Sequence, residues 1–222
     1  MTSPGNYTTD VNDMFAVHHA LHSCFGAAEG LVNGAGTDPS KVDTVASFYD
    51  NVLEFLHVHH QGEDELVYPV IEERCPEHRA LLERIDAQHR LLDEPMSLAR
   101  QALTDWQSDP DEADGARFIS LLAEIDTVLE PHLRQEENEV LPIASAFLSE
   151  EEWGELPGHA MATFGSDKPW LALGLVRASL PPEIQEAMLA GMPEPLQALW
   201  VTEWEPAFTR FIAEVEAIAP LA

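Results

Sequence analysis

Positive charge is scarce in this chain: eleven Lys and Arg stand against forty Asp and Glu, a formal net charge of −29. A nucleic-acid footprint needs clustered cations, and an anionic membrane surface repels such a balance, so neither partner is expected. Cysteine is nearly absent. Cys24 and Cys75 are too few for a disulfide scaffold and read as reduced thiols. No apolar run reaches the roughly 18 residues that a membrane span needs. The N-terminal MTSPGNYTTD has neither the basic nor the apolar region of a signal peptide. A soluble, cytoplasmic protein is expected. Strand signals are scarce as well, which turns attention to helices.

Helical spacing of apolar residues dominates the first two thirds of the chain. Residues 11–32 read as one helix with Asn12 or Asp13 as cap, and GAGTDPS as the turn after it. A second long helix covers 40–74, with Pro69 bending or ending it. CPEH makes a corner into a third helix running to about residue 105, which Pro95 should kink. SDPDEADG is a loop, and 114–148 is a fourth helix interrupted late by Pro142. Four such helices with short connections predict an all-α, antiparallel four-helix bundle over residues 1–148. After residue 149 the character changes. EEWGELPGHAMATFGSDKP reads as loop, and short helices follow around 170–179, 181–191 and 194–218. Residues 149–222 are expected to form a helical extension packed on the bundle.

The chain contains an internal duplication. HHQGEDELVYPV at 59–70 aligns with HLRQEENEVLPI at 132–143, so His59, Glu63 and Pro69 match His132, Glu136 and Pro142 at a constant offset of 73 residues. At nearly the same offset, His18 in the preceding helix corresponds to His89, each followed three residues later by Leu. Each copy thus reads as a helix with one His, then a helix with H-x-x-x-E. Residues four apart on an α-helix lie about 40° apart around the axis and about 6 Å along it, so His and Glu point the same way. Two such helices, each with its partner, project four imidazoles and two carboxylates into the bundle core. Bare burial of that set is costly. Metal ions offset the cost, and mixed imidazole and carboxylate donors suit iron, manganese or zinc.

These pieces, VHHAL at 17–21, HHQGEDELVYP, QHRLL at 88–92 and HLRQEENEVLP, resemble the hemerythrin-like, or HHE cation-binding, domain over roughly residues 10–148. The resemblance implies a four-helix bundle around two iron ions with an oxo or hydroxo bridge, zinc or manganese being the alternatives. Carried over by position, the metal ligands would be His18, His59, Glu63, His89, His132 and Glu136, the glutamates bridging. It also implies a small-molecule partner (O₂, peroxide or nitric oxide) that is bound reversibly or consumed. Rival ferritin-like bundles use Glu-x-x-His instead.

Departures from the pattern bear on the chemistry. Oxygen-carrying hemerythrins have a second His four residues after the helix-three His, where this chain has Asp93. Their acid five after the helix-four His corresponds to Glu137, beside Glu136. His22, four after His18, is a candidate fifth imidazole. If neither Asp93 nor His22 binds, two six-coordinate irons keep two open positions, which favours reaction over simple carriage. His19, His57 and His60 lie about 100° or more off the ligand face, so surface or supporting places are expected for them, and Tyr68, about 140° round from Glu63, is not counted as a ligand. Met14, Phe15, Leu21, Phe25, Leu56, Leu66, Leu129 and Leu133 are expected to pack around the metals. An iron- or oxygen-sensing module and a zinc-bound structural bundle are the competing readings.

Overall fold

The chain begins its first helix, α1 (Asn12–Gly26), without a side-chain cap, and Gly26 and Ala27 interrupt it where a single helix over 11–32 is expected. Ala27 flattens to a ψ of −7°, and α2 (Ala28–Ala35) continues at an angle until Gly36, which takes the left-handed φ of 57° that closes it. These coordinates come from a computed structural model that describes residues 7–221; the first six residues of the N-terminal stretch discussed above lie outside it. Asp38 caps α3 (Pro39–Gly62) by accepting from the N–H groups of Ser40 and Lys41.

Pro69 does not end the second rod. A widened turn at Glu63–Val67, in which the Tyr68 N–H reaches back five residues to the Glu63 carbonyl, leads directly into α4 (Tyr68–Arg74). The proline sits just past this turn, where the loosened ladder admits a ring that lacks an N–H. Arg79–Ser108 form α5, entered through a short 3₁₀ turn at Pro76–His78. The α5 helix runs on through Pro95, whose orphaned carbonyl belongs to Leu91, an exposed residue within reach of water. Helix α6 (Glu112–Gln135) leads through a second widened turn, Glu136–Val140, into α7 (Leu141–Phe147), with Pro142 placed as Pro69 is. No strand occurs among the described residues, so the architecture is the expected all-α bundle.

Two apolar layers fill the bundle. Leu21, Phe25, Leu56, Leu92, Leu129 and Leu133 belong to the larger; Met14, Val67, Ile71, Ile85, Val140 and Leu141 belong to the other, towards the α4 and α7 end. Phe15 is 41% exposed and Leu66 half-buried, so neither packs as expected. Leu66 lies within the widened turn, which rotates it off the face that straight-helix spacing assigns it.

The stretch read as loop after residue 149 is largely helical: α8 (Glu150–Trp153) and α9 (Leu156–Thr163). Its short turns carry too few residues for periodicity to register. Beyond them lie α10 (Pro169–Ala178), α11 (Pro182–Gly191), α12 (Glu194–Leu199), a third widened turn at Trp200–Trp204, and α13 (Glu205–Glu216). Leu171, Leu175, Phe211 and Val215 join the same core as α3. We propose that residues 1–148 form the bundle domain and 149–222 an extension sharing its core. No helix among the described residues is long and apolar enough to cross a membrane.

Candidate metal centre

Between the two apolar layers lies a polar one. His18 on α1, His59 and His60 at the end of α3, His89 on α5 and His132 near the end of α6 are all buried, as are Glu63 and Glu136, the first residues of two widened turns. His132 Nε2 stands 3.4 Å from Glu136 Oε2 and His59 Nε2 3.7 Å from Glu63 Oε2. Across helices, His18 Nε2 is 3.7 Å from Glu136 Oε2, and His89 Nε2 is 3.8 Å from Glu63 Oε2. None of these pairs is hydrogen-bonded. The distances suit donors that share an ion, because atoms each ~2.1 Å from a metal stand roughly 3–4 Å apart. The donors fall into two groups, His18, His59, Glu63 and Glu136 in one and His60, His89 and His132 in the other, with the ligand atoms of each group within 4.8 Å of one another.

Outer hydrogen bonds decide where the imidazole lone pairs point. His18 Nδ1 lies 3.0 Å from Glu137 Oε1, His89 Nδ1 3.0 Å from Asp64 Oδ1, and His132 Nδ1 3.0 Å from Gln88 Oε1. Oxygen accepts in each pair, so Nδ1 carries the proton and Nε2 turns its lone pair inward. Gln88 is held in turn by donating to Gln135. The duplication extends to this outer layer, with a crossover: Asp64 follows Glu63 in the first copy and clamps His89 of the second, while Glu137 follows Glu136 and clamps His18 of the first.

Burial sets the charges. Desolvation, reinforced by the nearby Glu136 and Asp64 charges, raises Glu63 well above the usual carboxylate range. Glu136 is raised by the same desolvation, with His18 and His89 opposing it. Desolvation and then the neighbouring imidazoles hold His59 and His60 well below their ordinary value, and lower His132 to about 3. Burial therefore keeps His59, His60 and His132 neutral and able to donate electron pairs, while Glu63 and Glu136 resist ionising unless a cation accompanies them. Seven of the eleven buried side-chain polar atoms without a hydrogen-bond partner among the described residues are the inward atoms of this layer: five Nε2, Glu63 Oε2 and Glu136 Oε2. Each such orphan costs about 1–3 kcal/mol. Metal ions would partner all of them, so the residues present fit a metal centre.

The six positions singled out by spacing are thus brought to one level. His22 and Asp93 are not: both are exposed, and His22 stands 3.8 Å from Asp126 instead. Glu137 serves the rim, while Glu136 is inside. His19 and His57 are exposed, but His60 is not, because α3 lies between α1 and α5 and presents a face to each. His59 meets His18, ring centroids 5.2 Å apart, and His60 stacks on His89 at 4.0 Å. Tyr68, not counted as a ligand by spacing, is buried on the inner side, and its hydroxyl donates to Glu136 Oε1. The widened turn explains this: a bond spanning five residues puts Tyr68 where the fourth residue of an α-helix would stand, about 40° from Glu63 rather than about 140°. Pro69 was the available signal, since a proline inside a helical pattern requires some local adjustment.

A surface cavity of about 330 Å³, lined by Phe15, His18, His22, Leu133 and Glu137, reaches the layer on the α1 side. Another of about 260 Å³ borders Asp64 and Tyr68. No curated protein and no solved structure matches the chain. The hemerythrin HHE cation-binding domain matches it over residues 9–144, which takes in every residue of the buried polar layer and stops short of the extension. By that match, the chain belongs to the hemerythrin HHE cation-binding domain family.

Proposed function

We propose that the protein holds two iron ions and binds or consumes a small oxidising or nitrosylating molecule, namely O₂, peroxide or nitric oxide. The observation that carries this reading is the convergence of seven buried, unpartnered donor atoms between two apolar layers. His18, His59, His89 and His132 would each give one Nε2, and Glu63 and Glu136 would bridge. An iron pair supplies electrons and open coordination positions for the small molecule. The protein's own part is to keep His59 and His132 neutral through burial, orient His18, His89 and His132 through Glu137, Asp64 and Gln88, and hold Glu136 with the Tyr68 hydroxyl. The opening beside Tyr68, edged by Asp64, Glu72, Glu83 and Asp86 against the cation Arg79, disfavours anions and favours small neutral molecules.

Metal content and the near-UV and visible spectrum of the purified protein, before and after peroxide, test this reading. Two irons per chain, with absorption bands that change as peroxide is consumed, are expected. Zinc alone after expression in ample iron, or a spectrum indifferent to all three molecules, would defeat it.

A further inference from the structure

The two copies of the repeat are not equivalent at the centre. His60 in the first copy corresponds to Leu133 in the second, and Tyr68 corresponds to Leu141, at the same offset that relates the rest. Leu133 and Leu141 are both buried, so the fold is content with an apolar side chain at either place. In the first copy both places are instead polar and both flank one ring. His60 stacks on one side of His89 at 4.0 Å and 15°, and Tyr68 lies against it at 5.9 Å and 25°. Hydrophobic packing does not call for an imidazole at 60.

We propose that His60 is a fifth imidazole ligand, forming with His89 and His132 a three-histidine position beside the one made by His18, His59, Glu63 and Glu136. The inference rests on the two-ion reading above. His60 is 6% exposed, and its Nε2 is buried without a hydrogen-bond partner, like the Nε2 of its two neighbours. The three rings offer ligand atoms within 4.8 Å of one another, and His60 meets His132 edge-on at 5.0 Å. A role in stacking alone gives no account of the nitrogen: Phe would stack equally well and would leave no orphaned polar atom, which costs about 1–3 kcal/mol. Neither candidate from spacing, His22 or Asp93, fills this place, since both face solvent.

The consequence concerns how much room the centre leaves. With four imidazoles, two six-coordinate ions sharing two carboxylates and a solvent-derived bridge would keep two open positions. His60 would take one of them, leaving a single position. The centre then has a histidine-rich side, whose three rings do not line the α1 cavity, and a carboxylate-rich side at His18, which does.

The test compares wild type with His60→Phe, which keeps a ring over His89 and removes the nitrogen. Both are titrated anaerobically with ferrous ion against a chromophoric chelator, and bound iron is counted after desalting. Far-UV circular dichroism and a thermal melt in chelator check the fold; if the Phe variant fails that check, His60→Ala is read in the same way. Wild type is expected to bind two ions. The variant should hold one as tightly as wild type and the other at least about 10-fold more weakly, because loss of a ligand is no milder than loss of a supporting partner. A folded variant that binds two ions with wild-type affinity overturns the assignment of His60 and leaves the two-ion reading standing. Wild type that binds fewer than two overturns that reading, and this inference with it.

Discussion

Asp64 and Glu137 are two rim carboxylates of equal rank in the repeat, and each reaches across to the other copy's lone histidine. Their effect on the centre is to fix a tautomer. Asp64→Ala leaves the His89 ring free to put its proton on Nε2, and ferrous-ion affinity is expected to fall about 10- to 100-fold in a chelator competition. Asp64→Asn keeps an oxygen acceptor and should lose less; equal losses would show that charge, and not tautomer, is the cause. The clamping roles of Asp64, Gln88 and Glu137 were beyond the reach of sequence reasoning because they act from one helix onto another. His18, His59, Glu63, His89, His132 and Glu136 were within reach, because local spacing on one helix and a repeat in register are properties of the chain itself. His60 and Tyr68 needed information of a different kind. The first depends on which helices flank α3, and the second on a turn that departs from 3.6 residues.

At the scale of elements, the two widened turns that begin at Glu63 and Glu136 are the fold's way of accommodating a proline next to a buried carboxylate. Each starts on a buried glutamate and ends at Val67 or Val140, with Tyr68 or Leu141 between it and Pro69 or Pro142, so helix counting is sound up to Glu63 and Glu136 and out of phase beyond them. That is why the four rods and their order could be read from periodicity while Leu66 and Tyr68 could not be placed. The joint to the extension is built differently. Ser149 caps α8 in a box with Glu152, and Arg74 of α4 donates to the same carboxylate at 2.8 Å and to the Phe147 carbonyl. Arg74, ahead of the backbone and side chain of Ser149, lowers the Glu152 pKa to about 2 from the ordinary carboxylate value of 4.5. Because the folded-state value lies below the unfolded one, this pair stabilises fully above pH 4.5 and the contribution is lost as pH falls towards about 2. Both side chains are 30% exposed, which limits the contribution to about 0.5–1 kcal/mol. Glu152→Gln should therefore cost about that much in urea melts at neutral pH, and the gap to wild type should narrow at pH ~3. A gap that stays constant with pH would assign the cost to the cap geometry rather than to the charge.

For the whole molecule, the family match ends at residue 144, yet the hydrophobic core does not. Trp153 is 5% exposed, packs with Met14, Ile71 and Ile85, and donates its indole N–H to Asp13 at 3.0 Å. Higher up, Leu171, Leu175, Phe211 and Val215 lie in the core that contains Val45 and Leu53 of α3, while Gly165 and Lys168 donate backbone N–H groups to Glu54 and Asn51. A chain ending at Leu148 would leave the α3 side of that core open to water. Burial of each large apolar side chain contributes about 1.5–3 kcal/mol, so the loss of five of them reaches the whole stability of an ordinary domain, about 5–15 kcal/mol. Metal binding can restore only part of it, about 4 kcal/mol at a thousandfold excess over the dissociation constant. The expected outcome is that residues 1–148 give no cooperative thermal transition in chelator and expose apolar surface to a dye, whereas the full chain melts cooperatively under the same conditions. A truncated chain that melts like the full one would mean that the bundle completes its own core and the extension merely rests on it.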